Sequence, residues 1–445
     1  MGNFTENSAL SIEAIRDDYV PAADYISPEF VQLEKKHMWP KVWQVACREE
    51  EIPKPGNYLV FEVCDQSVVV LRKPDGNIAA YHNVCQHRGR KLLEGTGTVA
   101  RFHCNFHGWQ WDLDGKNIKV LDPQDWGDRP SIKTENLSLP KVPVDTWAGF
   151  VFVNLDPNAE PLAKFLDPVP EYLDPFEIGK MRYRWYYSIK VPCNWKNGME
   201  AFNEGYHVFA THPQWPHLTD DVTRTFTFGK HGMFGYPTAR MFGQRSARIH
   251  PELEDVRENI IDFYDDLNTT LGALYSERAT EAVRRLRTEV PAGASHMEIL
   301  GKMFEFIREA AIACGAGYPD ISFEQMGKAG ADWHIFPNLI ILQTPDAALV
   351  YRVRPYGNDP DWCIFDVWSL VRYAEGAQPR LNRHIHYGDD DWKRIGDVSI
   401  VLLQDFGNLA AVQQGMKSLG FKGSLTNPLQ ESTVTNFHQA IREYF

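Results

Sequence analysis

Residues 83–111, NVCQHRGRKLLEGTGTVARFHCNFHGWQW, place a Cys-x-His pair and a Cys-x-x-His pair sixteen residues apart. Two cysteines and two histidines in so short a span ask for a metal, and for a scaffold that presents two tight loops to it. The flanking residues describe that scaffold. YLVFEV, SVVVLR and IAAYHNV are short β-rich runs separated by the turn signals CDQ and PDGN. Asp114-Gly115 marks a further hairpin turn. TWAGFVFVNL (146–155) reads as one buried strand, and DPNAEPL after it as a linker. Residues 40–156 are therefore expected to form one small all-β domain.

Four readings compete for Cys85, His87, Cys104 and His107. The first is coincidence among buried residues. The second is structural zinc, which takes Cys₂His₂ tetrahedrally. The third is c-type haem, whose Cys-x-x-Cys-His is absent. The fourth is a two-iron cluster in which two Cys hold one iron and two His the other. A zinc finger commonly offers its cysteines as one knuckle and its histidines as another. Here each loop supplies one of each, and Gly89 and Gly108 permit tight turns beside inorganic sulfur. His82 and His103 flank the motif off its spacing and read as structural or surface residues.

The rest of the chain reads as mixed α and β. Ser27-Pro28-Glu29 has the N-cap, first-turn proline and acid of a helix start, predicting a helix to about Met38. A helical stretch is expected over 195–211, followed by an aromatic and Gly-rich loop, RTFTFGKHGMFGYP (224–237). Two helices fill the middle, the second opened by a capping box, Ser295-x-x-Glu298, ahead of Met297, Leu300, Phe304 and Ile307. Strands follow at NLIILQT, ALVYRVRPYG and CIFDVWSLVRY, and then a long helix from about Asp391 to Ser418.

A second metal site is suggested inside NWKNGMEAFNEGYHVFATHPQ (194–214). Trp195, Met199, Phe202, Tyr206 and Phe209 have the 4-3-4-3 spacing of a buried helical stripe, with Glu200, Glu204 and His207 beside it. His212 lies five residues beyond His207, about 140° around an ideal helix. Pro213 pushes His212 out of the α region, so that it can swing back toward His207 at the helix end. In the long C-terminal helix, Trp392, Ile395, Val398, Leu402, Asp405, Leu409, Val412 and Met416 form a stripe in which Asp405 is the one charged member. A buried carboxylate needs a partner, and a cation is the simplest. His207, His212 and Asp405 would make the two-His, one-carboxylate face of non-haem Fe(II) sites. The competing readings are two helix-end histidines and an edge aspartate. A di-iron reading would pair Glu204-x-x-His207 with Glu34-x-x-His37, but the latter lies in LEKKHM, a charged, surface-like helix, and reads as chance.

These motifs resemble those of the α (oxygenase) subunit of Rieske non-haem iron ring-hydroxylating oxygenases, along nearly the whole chain. The resemblance implies an α+β fold in three parts. These are an N-terminal helical arm (1–39) packing on the catalytic domain, the all-β Rieske domain (40–156), and a larger mixed catalytic domain (157–445) with an antiparallel sheet flanked by helices. It implies Cys85, His87, Cys104 and His107 as ligands of a [2Fe–2S] cluster, and His207, His212 and Asp405 as ligands of a mononuclear Fe(II). The residue three before the first iron histidine is usually Asp in this family and bridges to a cluster histidine of a neighbouring subunit. Here it is Glu204, one methylene longer. The implied activity uses O₂ to hydroxylate, in the first instance cis-dihydroxylate, an aromatic or other hydrophobic small molecule. The alternatives are monohydroxylation or oxidative N- or O-demethylation, and more remotely a zinc-stabilised binding protein. The implied assembly is a homotrimer, with or without a small β subunit.

Composition limits the partners. With neither a Gly-rich dinucleotide fingerprint nor a plant-type ferredoxin Cys run, NAD(P)H is expected to act through a separate reductase, with or without a ferredoxin. A formal charge of −13 argues against nucleic acid or an anionic membrane. The first twenty residues lack a secretory signal pattern, Glu6 spoils a myristoylation motif at Gly2, and no apolar run approaches the roughly 20 residues that span a bilayer. Seven cysteines without framework spacing suggest a reducing, cytoplasmic setting, with Cys47, Cys64, Cys193, Cys314 and Cys363 as buried apolar residues. Phe202, Phe226, Phe228, Phe234 and Tyr236 are candidates to line an apolar pocket.

Overall fold

The structure, a computed structural model, describes residues 14–133, 137–236 and 242–445. Gly2 and Glu6 lie outside the described residues.

A β-rich N-terminal part precedes a larger α/β part. In the former, strands Ile78–His82, Gln66–Arg72, Asn57–Val63 and Thr96–Thr98 form one antiparallel sheet in that order. The Gln66–Arg72 strand is buried on both faces, which is why it reads as a continuous apolar run. Val68 and Val70 join the main core, whereas Val69 and Leu71 join a separate core with Cys85, Cys104, Trp109 and Trp111. A second small sheet, Phe102–His103, Gln110–Trp111 and Asn117–Lys119, carries the second metal loop. Asp114-Gly115 turns between its last two strands, with Gly115 at φ +77° and its missing Cβ giving room to the Tyr81 ring. The run expected as one strand over 146–155 is instead a hairpin, Val144–Trp147 paired with Phe150–Val153. Ala148 and Gly149 both take positive φ, the conformation of a two-residue type I′ turn.

The larger part is built on an eight-stranded sheet. Its order is Arg224–Phe228, His231–Gly235, Asp332–Ile335, Leu339–Gln343, Ala347–Tyr356, Asp359–Val371, Arg182–Val191 and Arg383–His386. All pairings are antiparallel except the last. The first two strands occupy the stretch expected as a loop. Phe226, Phe228 and Phe234 are strand formers, and Gly229-Lys230 makes the two-residue turn between them. Helices cover the sheet. Between 257 and 329 there are five among the described residues rather than two, the longest being Arg257–Thr270 and His296–Ala313. Ser295 caps the latter through the Glu298 amide at 3.3 Å; Leu300 and Ile307 are buried, while Met297 is exposed. The C-terminal helix begins at Ile400, not Asp391, because Ser399 restarts it as an N-cap, its hydroxyl accepting from Leu402 N after a 3-10 turn over Asp391–Asp397. Val412 consequently faces solvent, but Asp405 is buried.

The helix Pro28–Leu33 is capped by Ser27 as its sequence demands and widens into a π turn over Glu34–Met38. Glu34 is no surface residue. It is buried against Lys196 (2.5 Å) and Trp195 Nε1 (3.1 Å), so the LEKKHM stretch packs on the segment leading to the second metal site. Cys314 is exposed, and Cys64 is half-buried at the edge of the main core that encloses Cys47, Cys193 and Cys363. No helix among the described residues is long and apolar enough to cross a membrane.

Candidate metal centres

The first centre is made of two near-identical loops. Gly89 N donates to Cys85 O (3.0 Å) and Gly108 N to Cys104 O (2.9 Å), while the two cysteine amides donate to Arg90 O and Trp109 O at 2.8 and 2.9 Å. Both glycines sit at φ +73°. The cysteines are buried and the imidazoles lie outside them at the rim, their centroids 4.6 Å apart, with His87 stacked on Trp109 at 4.7 Å. Burial pushes the Cys85 thiol up, and neighbouring Cys104 adds to this. His87 is pushed down, by burial first and then by His107 and Arg88.

Nδ1 of His87 and Nδ1 of His107 are both buried without a hydrogen-bond partner. An orphan nitrogen on each ring is what a bound metal would satisfy. Among the described residues, the one set of three or more donors drawn to within 4.8 Å of one another, as a single ion would need, is elsewhere. A buried Cys pair below a His pair instead fits a two-iron cluster. Phe106 and Arg88 leave the histidine side of this centre at the surface. His103 is exposed beside Asn105, and His82 is half-buried away from the loops.

The second centre is that close set: His207, His212 and Asp405. The helix expected over 195–211 breaks here into Trp195–Glu200 and Val208–Thr211. Glu204 causes the break. Its Oε2 accepts from the amides of Tyr206 and His207 (3.1 Å for His207), a local turn ahead of the second helix that withdraws those amides from the first. Gly205 turns where a Cβ would strike the Thr223 methyl at 2.7 Å. Tyr206 and Phe209, expected in a buried stripe, are therefore exposed, whereas Trp195, Met199 and Phe202 are buried. His212 ends the second helix at φ −116°, ψ 69°, outside the α region as Pro213 requires.

Each histidine is oriented by its other nitrogen. His207 Nδ1 donates to Glu204 Oε1 (2.6 Å), and His212 Nδ1 donates to Gln404 Oε1 (2.8 Å), with Gln214 Nε2 fixing the same oxygen at 3.2 Å. Both Nε2 atoms then face Asp405 Oδ1, at 3.7 Å from His207 and 3.1 Å from His212. Burial pushes the His207 imidazole down, but Glu204 and then Asp405 outweigh it and lift it to about 9. Glu431 is pushed up to about 7, chiefly by burial and also by the Glu204 charge. The pocket is over-supplied with negative charge and wants a cation. Sequence reasoning missed Gln404, whose one signal was its place beside the lone acid of an apolar helix. Among the candidate pocket aromatics, Phe202 lies on Tyr351 (4.4 Å), whereas Phe228 stacks on Trp333 across the sheet and Phe226 and Tyr236 are exposed.

A sheet-based catalytic part with a two-His, one-carboxylate face, joined to a two-loop Cys/His domain, defines the Rieske-type non-haem iron oxygenases. The family comparison agrees: the ring hydroxylating alpha subunit (catalytic domain) matches residues 178–445 and the Rieske [2Fe-2S] domain residues 42–133, and the chain belongs to that family. It is similar to the glycine betaine monooxygenase oxygenase subunit of Chromohalobacter salexigens, 32% identical over 199 residues, which is 44% of each chain. It is also similar to the Escherichia coli carnitine monooxygenase oxygenase subunit, 30% identical over 203 residues, 44% of this chain and 52% of that one. Benzene 1,2-dioxygenase subunit alpha of Pseudomonas putida is 31% identical over 209 residues, 45% of this chain and 46% of that one. The alignments thus span about half the length of these relatives. Two solved structures share the fold. A quaternary ammonium Rieske monooxygenase with L-carnitine has TM-score 0.64, 18% identity and 97% of each chain covered. Naphthalene 1,2-dioxygenase with indole bound has TM-score 0.60, 18% identity and 97% and 93% covered.

Proposed function

We propose that the chain is the oxygenase component of a Rieske monooxygenase that oxidises an N-alkyl group of a small quaternary ammonium compound. The observation that carries the oxygenase reading is the convergence of two histidine Nε2 atoms and one carboxylate oxygen at a buried, otherwise acid-rich pocket. Similarity to glycine betaine and carnitine monooxygenase subunits supports monooxygenation of such a compound over the ring cis-dihydroxylation expected first. The benzene dioxygenase relative keeps the latter as the second reading.

Cys85, His87, Cys104 and His107 would hold the cluster, and His207, His212 and Asp405 the iron. When bound, these groups supply single-electron relay and O₂ activation. The balance is substrate C–H plus O₂, two electrons and two protons giving the alcohol and water, with the electrons drawn from NAD(P)H by a separate reductase, with or without a ferredoxin. Glu204 is the positioning residue. One oxygen orients His207 and the other is pinned by backbone amides, leaving its negative charge beside the iron ligand. In a head-to-tail homotrimer, with or without a small β subunit, Glu204 would also accept from His107 of a neighbouring copy. The corresponding division of the chain is an arm (1–39), a cluster domain (40–156) and a catalytic domain (157–445).

The test is substrate-dependent O₂ uptake with a surrogate reductase, scoring formaldehyde from N-methyl cations against cis-diols from arenes. Asp405→Ala should abolish product while the cluster spectrum persists. Turnover by that variant would show that another residue supplies the carboxylate.

A further inference from the structure

Several deeply buried acids among the described residues are paired with cations. Asp24 meets His438 and Arg442, Glu34 meets Lys196, Asp346 meets Arg278, and Asp366 meets Arg352. Asp332 is not. It is 2% exposed, has no ion pair among the described residues, and its Oδ1 has no hydrogen-bond partner. Burial alone pushes its carboxyl well above the usual range, with no neighbouring charge to pull it back. The basic side chain nearest along the strand is His334, whose Nε2 is also orphaned; burial and then His231 push it down to about 3, so it stays neutral and cannot serve as counter-ion.

Register places this carboxylate. Asp332 pairs with Phe234 on one neighbouring strand, and His334 lies in a row with Ile340 and then Tyr351. Side chains two apart share a face, so Asp332, Phe234 and Tyr351 point the same way. Trp333 between them points the other way, against Tyr172 and Phe228. The Asp332 face is the one covered by Phe202, from the chain between the two short helices of the iron site. Burial lifts the Tyr351 phenol well above its usual range, and the charges of Asp405 and then Asp332 lift it further. Tyr351 thus feels both the iron-site carboxylate and the unpaired one.

An unpaired acid paired with Phe234 across the strands, on the same sheet face as Tyr351 and the Phe202 ring that lies on it, matches one ligand chemistry. A quaternary ammonium head offers a full positive charge, no N–H to satisfy, and methyl groups that lie against aromatic faces. Its charge would also stabilise the ionised form of Asp332, which burial alone disfavours. We propose that Asp332 is the residue that selects a cationic substrate, its carboxylate receiving the ammonium head on the sheet floor beside Tyr351. This rests on the oxygenase reading above and extends it to the residue that reads charge.

The test measures binding apart from turnover. Choline and its neutral isostere 3,3-dimethyl-1-butanol are titrated calorimetrically into the metal-loaded oxygenase, wild type and Asp332→Asn. Wild type should prefer choline. Asp332→Asn should weaken choline on the order of 30-fold, while the isostere moves less than about threefold. Asp332→Ser, smaller and also neutral, must repeat the pattern, and serves if the Asn variant does not fold. Equal losses for both ligands would make Asp332 structural, and unchanged choline binding would overturn the proposal outright. A wild type that binds choline selectively through Asp332 yet oxidises no N-methyl cation would sink the monooxygenase reading while sparing this one.

Discussion

Lys196→Met tests how the N-terminal arm holds the iron site in place. Lys196 is fully buried, its Nζ 2.5 Å from Glu34 Oε1 and 5.0 Å and 5.3 Å from the ring centroids of Phe30 and Trp195. Glu34 also accepts from Trp195 Nε1 at 3.1 Å. Burial drives the Glu34 carboxyl above its ordinary range, and Lys196 is the strongest influence drawing it back. Methionine fills the stem volume of lysine but leaves that carboxylate buried without its cation, a loss of about 3–5 kcal/mol. At about 2.1 cal/mol/K per residue, unfolding entropy for 445 residues is about 0.9 kcal/mol/K. A loss of about 4 kcal/mol then lowers Tm by about 4 °C if the chain melts as one unit, and by about 7 °C if residues 178–445 melt alone. Adding Glu34→Gln should recover most of the loss, because the amide oxygen still accepts from Trp195 and no charge is stranded. The assay is calorimetry of the four proteins of the double-mutant cycle. Additive losses, or a Lys196→Met shift under about 1 °C, would refute the coupling.

Two further outcomes are expected. Glu204→Gln should keep both metals, since the amide oxygen still accepts from His207 Nδ1, but slow substrate-driven reoxidation of the cluster on the order of 10- to 100-fold in single-turnover absorbance measurements; a wild-type rate would remove Glu204 from electron transfer. For His438, burial pushes the imidazole down, but Glu200 (2.5 Å) and Asp24 (3.0 Å) outweigh it and hold it above its ordinary value. A raised folded pKa gives stability that is complete below the unfolded value of about 6.5 and is lost as pH rises through the folded one. Thermal melts from pH 6 to 9 should therefore show a decline that His438→Gln flattens, and parallel curves would contradict the assignment.

How much was legible in the sequence follows from how locally each feature is made. The four proposed cluster donors lie within one run of residues, and each loop closes on its own glycine, so the two-loop arrangement was legible from spacing and composition. Asp405 was legible because an acid on an apolar helical stripe has few reasons to be there. The break at Glu204 was not: periodicity over 195–211 favours a helix, and what defeats it is a side chain bonding to amides two and three residues ahead. The hairpin at 224–235 was mistaken for a loop because its glycines hid an aromatic alternation. Glu34 looked solvated because Lys196, its counter-ion, is 162 positions away.

The spacing of the two ligand sets also sets an order of manufacture. The proposed cluster donors are complete at His107, within 23 residues of chain, but the proposed iron donors run from His207 to Asp405, and the strands beneath them are made in between. The Arg182–Val191 strand must wait for Asp359–Val371 before it has its main partner. At synthesis rates of about 5–20 residues per second, the roughly 300 residues from His107 to Asp405 take about 15–60 s. On these proposed ligand sets, a nascent chain carries all four cluster donors well before the mononuclear iron has anywhere to go.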